Sequence, residues 1–408
     1  MAIKTTKALL RMLILLLPLT AAAQNIKIGG SIYGGGNLGD VSGNTTVTVH
    51  AGDLDKVFGG ARMANVGGRA FVNIDGEHAS DFILINYLYG GNDISGTIGS
   101  STKPTELDAA EMTEYGIDDT WNAFVRLSTK TKTEGTGDNQ IIKETSDAKK
   151  IYIGQLFGGG NGAYDYTTEP KDAVKTTDPD TGEETIVTPA VENPYYNLPK
   201  PNLGKTYLQV HGGSIVYAYG GGNNATVTEK TVICLNNPSE VVNSITGTNG
   251  ELLTDERFTD DMGINTGYSF PSSDAYQIGN FYGGNNTAEM AIRPEWHLTQ
   301  GKVRNLYSGG NRGKMTSPEG LLLDINPPAK YDQKLVIENV YGGCRMADVI
   351  PTVNGIYTPT TNLEGYNFPD KFAARLIIRG GDITNVYGGN DITGKIYGGI
   401  AVCIRSNI

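Results

Sequence analysis

Short runs of alternating apolar and polar residues recur along this chain. Each is followed by a glycine-centred turn and a second short run that ends in an apolar–aromatic pair. Residues 46–60 read TVTVHAGDLDKVFGG, 207–221 read YLQVHGGSIVYAYGG, 375–389 read RLIIRGGDITNVYGG, and 297–310 give a looser HLTQGKVRNLYSGG. Alternation over four to six residues, rich in β-branched side chains, predicts strands, and the glycines mark positive φ or close backbone approach.

The end of each unit is the sharpest signal. An apolar residue, an aromatic, two glycines and usually asparagine appear as IYGGGN at 32–37, VFGGAR at 57–62, LYGGND at 88–93, LFGGGN at 156–161 and AYGGGN at 218–223. The series continues with FYGGNN at 281–286, LYSGGN at 306–311, VYGGCR at 340–345, VYGGND at 386–391 and IYGGI at 396–400. A unit of this size cannot bury its own apolar face, so each strand must lie on its equivalent in the next unit. The expected fold is all-β, a parallel β-solenoid over 24–408 with long polar loop insertions. Propellers and sandwiches prefer Asn-Gly or Asp-Gly hairpins at regular offsets. Asn-Gly occurs here only at 161–162, 249–250 and 354–355.

Stacking predicts three columns. Val57, Leu156, Leu306, Val340 and Val386 should point inward. Tyr33, Phe58, Tyr89, Phe157, Tyr219, Tyr282, Tyr307, Tyr341 and Tyr387 should form an aromatic column. Asn37, Asn92, Asn161, Asn223, Asn285, Asn311 and Asn390 should form an amide ladder at a corner. The polar stretches 99–149, 165–204, 236–277, 316–333 and 350–371 read as insertions, most leaving after the glycine motif and so sharing one side. A longer echo, FGGARMANV at 58–66 with YGGCRMADV at 341–349, and YGGNDISG at 89–96 with YGGNDITG at 387–394, suggests duplication. The closing AVCIRSNI resembles the opening strand of a further unit, the expectation for a truncated member of a longer array.

Residues 1–23 read as a secretory signal peptide: Lys4, Lys7 and Arg11, then the apolar MLILLLPL, then Ala21, Ala22 and Ala23 before Gln24. The apolar run is shorter than the roughly 20 residues a membrane-spanning helix needs, and no later run reaches that length. The expected localisation is secreted or cell-surface. Removing that segment takes away three positive charges and no negative ones, moving the net charge from −11 to −14. Such acidity argues against nucleic acid as a partner. Glycine supplies 55 of 408 residues, close to twice its ordinary share of about 7%. Cys234, Cys344 and Cys403 are too widely spaced to specify a pair and suit small buried apolar positions.

The recurrent VYGGGN and VYGGND units behind a signal peptide resemble the Gly-rich repeat proteins on the surface of Bacteroidetes-type bacteria, over roughly 28–400. The resemblance implies an exported β-helical protein with adhesin-like or cell-surface roles, in members that often carry a C-terminal anchoring region.

No P-loop, GxSxG or HExxH is present, and no GxGxxG stands at a strand-to-helix junction. The expectation is therefore no catalytic, cofactor-binding or metal-binding residues, no cofactor, and a scaffold or adhesin engaging host or cell-surface glycans or proteins through its loops. His50, His211 and Arg379 occupy equivalent positions before a glycine turn and read as a solvated corner. Asp93 and Asp391 in YGGND could hold calcium, but isolated copies favour a turn-capping role. Glu251, Asp255, Glu256, Asp260 and Asp261 read as a solvated loop run. The alternatives are a glycan-binding module, or a carbohydrate-active β-helix using Arg62 or Arg345 with neighbouring aspartates.

Overall fold

The computed structural model describes residues 26–101, 103–117, 120–242, 276–353, 356–357 and 372–405. The expected signal segment 1–23 and the acidic run 251–261 lie outside the described residues. The described chain is nearly all β. Among the described residues, helix is confined to Ala109–Glu114 and two 3-10 turns, Gly137–Asn139 and Ala329–Lys334.

The main feature is a 14-stranded parallel sheet wound into a nearly closed coil. Its first wall stacks Thr45–Val49, Ala70–Gly76, Ala123–Thr129, Asn202–His211, Thr226–Asn236 and the start of Glu295–Tyr307. Its second wall stacks the strands that end in the aromatic, from Lys27–Tyr33 through Gly52–Phe58, Ile83–Tyr89, Ile151–Phe157, Ser214–Tyr219 and Ile278–Tyr282 to Leu335–Tyr341 and Asp382–Tyr387. Glu295–Tyr307 belongs to both walls and rounds the corner at Gly301, whose φ of 142° suits glycine. Leu321–Ile325, Phe372–Ile378 and Gly399–Ile404 form a further parallel sheet in the first-wall position of the last turns. The third side is held by single bridges, such as Val41 to Val66 to Ile98 and Met290 to Met315 to Val349.

Successive residues of a strand face opposite sides, and this separates two apolar layers. Val57, Leu156, Leu306 and Val340 are fully buried in the interior with Val72, Val125, Leu208 and Ile233 from the first wall, and Val386 packs against that core. The neighbouring aromatics face outward and bury one another. All nine rings stack as the sequence predicts, with centroids 4.6–5.0 Å apart, close to the 4.7–4.9 Å strand spacing.

The glycine pair follows from how turns cross at the next corner. A Cβ on Gly90 would stand 2.3 Å from the Gly158 carbonyl oxygen of the next turn. A Cβ on Gly221 would stand 1.9 Å from the Asn285 side-chain oxygen. The first glycine meets main chain and the second meets the inward-turned asparagine, and neither place has room for a side chain.

Three expectations are corrected. Residues 99–149 contain the first-wall strand Ala123–Thr129, with Phe124, Val125 and Leu127 fully buried, and 316–333 contain Leu321–Ile325. The insertions also do not share one side. Those at 100–122, 163–201 and 350–371 leave after the glycine motif, whereas 130–150, 237–277 and 326–334 leave between the two walls. Finally, the cysteines are unpaired: Cys234 and Cys344 are buried as expected, but Cys403 is half-exposed.

Candidate functional site

The asparagines of the motif divide into two sets that the sequence reading had merged. Asn92, Asn285 and Asn390 stand three residues after the aromatic and turn inward. Their side-chain oxygens accept the main-chain N–H of Ala61, Gly222 and Cys344 in the preceding turn, at 2.7–2.8 Å. The outward ladder occupies the following position, which reads Asn37, Arg62, Asp93, Asn161, Asn223, Asn286, Asn311, Arg345 and Asp391 along the coil. Along it Asn161 donates to Asp93, Asn223 to Asn161, Asn286 to Asn223 and Asn311 to Asn286, each at 2.8–2.9 Å. Each central amide spends one N–H and one lone pair on the ladder and keeps a second N–H for an outside acceptor.

Beside this ladder lies a groove of about 550 Å³ on the outer face of the second wall. Asn223, Asn286 and Asn311 form one side, and Gln155 and the edges of Tyr217 and Tyr219 lie along the other. Tyr164, half-buried and tilted against Tyr195 at 4.8 Å, closes one end on the insertion 163–201. Burial and the Asp93 carboxylate push the Tyr164 phenol well above its ordinary range, so it remains a hydrogen-bond donor. Asp165 at the rim is the one charged group lining the groove. Neutral amides over aromatic surface suit an uncharged polyhydroxylated ligand.

The aspartates of YGGND take a role other than turn capping. Asp93 is buried and accepts from the Tyr33 hydroxyl at 2.7 Å, the Tyr164 hydroxyl at 2.8 Å and the Asn161 amide at 2.8 Å. Burial, with help from that carboxylate, pushes Tyr33 up to about 12. Asp391 repeats the pattern two turns beyond Tyr307, whose hydroxyl donates to it at 2.9 Å. Arg62 and Arg345 precede these aspartates by one turn in the same column, and Arg345 donates to Asn311 at 3.4 Å. The succession of arginine and then aspartate in this column thus recurs as a repeat element, and Asp93 already has three donors.

The corner before the glycine turn is less solvated than the sequence implied. His211 places Nε2 3.2 Å from Glu111 Oε2, and Arg379 holds Asp324 with two bonds of 2.7 and 2.8 Å. His50 places Nδ1 3.6 Å from Asp75 Oδ2. Glu111 comes from the short helix Ala109–Glu114, N-capped by Asp108, which lies over the outer face of the first wall. It also accepts from the Tyr207 hydroxyl and, at 2.8 Å, from Gln209 Nε2. Burial alone would raise its pKa, but His211, Tyr207 and Gln209 outweigh that and hold it down to about 2. Cys234 sits beneath the same cover, its thiol pushed up by burial and then by Glu111.

No site residues were expected from the pattern. The groove residues sit in or beside the repeat but on its outward face, and only the stacking of separate turns brings them together. No protein-family model, curated protein or solved structure matches the chain.

Proposed function

We propose that this chain is an exported parallel β-solenoid, secreted or held at the cell surface, that acts as a scaffold adhering to glycan-bearing partners. The groove of Asn223, Asn286 and Asn311 facing Gln155, Tyr217 and Tyr219 carries the reading. Its amides offer paired donors and acceptors to hydroxyl groups, and one more amide is presented per turn, about every 4.8 Å. That regular spacing favours an extended sugar chain over a single small metabolite. The signal-like 1–23 segment supports export, and the coil with stacked columns supports the solenoid. The polar insertions supply further surface for proteins that bear the glycan.

The test is binding of neutral and acidic oligosaccharides to the chain. Loss of one ligand-facing amide removes a hydrogen bond of about 0.5–1.5 kcal/mol, so Asn286→Ala should weaken a neutral oligosaccharide up to about tenfold. Equal binding by N286A, or no binding across the panel, would sink the reading. Release of reducing or unsaturated ends would instead favour the carbohydrate-active alternative.

A further inference from the structure

The chain has four histidines, and two of them converge on a single carboxylate. His50 follows the first-wall strand Thr45–Val49 and stands beside Asp75 of the next turn, since Val49 pairs with Ile74. Asp75 lies near the end of strand Ala70–Gly76 and is buried, with 7% of its surface exposed. The chain then leaves the wall through Glu77 and His78. His78 Nδ1 lies 3.0 Å from Asp75 Oδ2, and His50 Nδ1 lies 3.6 Å from the same oxygen. Ligand atoms of Asp75, Glu77 and His78 all lie within 4.8 Å of one another.

We propose that Asp75, Glu77 and His78 form a site for a zinc-type divalent transition ion, with His50 turning in from the preceding turn, or water, in the fourth place. Zinc bonds to imidazole and carboxylate run about 2.0–2.1 Å, so neighbouring tetrahedral ligands stand about 3.4 Å apart. The two nitrogen–oxygen separations bracket that edge. The ligand set also selects the ion. An imidazole among the ligands suits zinc, copper or nickel, whereas calcium and magnesium require oxygen cages. Asp75 is fixed by the sheet and needs no rearrangement. His78 and His50 keep 70% and 47% of their side chains exposed, so both rings can turn lone pairs to an incoming ion. Glu77 has a competing partner in Arg126, whose guanidinium nitrogen lies 3.8 Å from its half-exposed carboxylate, a long pair that the ion can displace. The bound ion would join two successive turns at the corner between the walls. The proposal is independent of the glycan reading, since the groove opens on the far part of the second wall.

The experiment is titration of the whole chain with Zn²⁺ against a chromophoric chelator, with Co²⁺ absorption as a second readout. The expected result is one ion bound in the presence of excess Ca²⁺, with affinity lowered at least about tenfold by His78→Ala and further by the H50A/H78A pair. His78 also lies within hydrogen-bond distance of the buried Asp75, so the variants should melt somewhat lower without metal; the readout is the rise in melting temperature caused by Zn²⁺, expected in the parent chain alone. No bound zinc, or zinc held equally by the H50A/H78A pair, overturns the proposal.

Discussion

The outer faces of the two walls are covered in different ways. On the second wall the repeat covers itself: each aromatic is sandwiched between the rings of adjacent turns, and Phe157 lies 4.7 Å from Tyr89 and 4.6 Å from Tyr219. On the first wall Phe71, Phe124, Tyr207 and Val232 stand in register on successive turns, but Phe124 and Tyr207 meet edge-on, with centroids 6.3 Å apart at 73°, and the run ends in an aliphatic residue, so no stacked column forms. Their cover is brought in from an insertion that contributes Leu107, Met112, Ile117 and Trp121. A face that repeats needs only its own turns, and it leaves open ground beside it for a groove. A face that does not repeat needs a separate lid, and the lid needs an anchor. Glu111 is that anchor.

The comparison breaks most visibly in the column. Phe157 is fully buried, so Phe157→Ala should cost about 3–5 kcal/mol, whereas Phe157→Tyr should be tolerated because tyrosine fills neighbouring places. Chemical denaturation measures both. A loss under about half a kcal/mol for the alanine variant would mean that the column does not carry the wall.

Removing the anchor should have a smaller and more local effect. Glu111→Ala leaves the Tyr207 hydroxyl and the Gln209 amide without their acceptor under the lid, at about 1–3 kcal/mol. Hydrogen exchange should accelerate across 107–117 and leave the second wall unchanged. Acceleration in both regions would show that the two faces are not separately covered. The same carboxylate gives a pH signature. Its pKa is depressed from an ordinary 4.5 to about 2, so its contribution is present above 4.5 and is lost as pH falls toward 2. The denaturation midpoint of the parent chain should therefore drop more steeply over that window than that of Glu111→Gln. Parallel slopes would remove Glu111 from the account.

What could be read in the sequence follows the same division. The columns through Val57 and Tyr33 were legible because ten similar motifs fix their own register. Ala123–Thr129 was missed because AFVRLST stands between polar insertions and lacks a glycine motif directly behind it. Asn92 and Asn161 were merged because both follow the glycine pair, and only the neighbouring turn's main chain distinguishes an inward cap from an outward ladder. The approach of His50 to Asp75 joins residues from two turns, and a pattern read within one unit does not reveal it.

The smallest effect is expected at an insertion that the sequence reads as polar and free of the repeat. The stretch read as 236–277 is in part structural. Asn237 donates to the Gly213 carbonyl at 2.9 Å, the Ser239 hydroxyl accepts the Gly213 N–H at 3.0 Å, and Gln277 bonds back to Ser239. Those residues close the corner between Thr226–Asn236 and Ile278–Tyr282 and should be kept. Deleting only 243–275 and bridging Val242 to Tyr276 with a few glycines shortens a connection whose described ends are already held. Closure entropy changes by only about 0.6 kcal/mol for each doubling of loop length, so stability should shift by roughly 1 kcal/mol or less. If the insertion engages a glycan-bearing partner, adhesion should fall while the melting curve stays in place. A melting curve that collapses would make this insertion a lid like 100–122, and the contrast between covering and non-covering insertions would fail. Adhesion and stability both unchanged would confine partner binding to the groove beside the asparagine ladder.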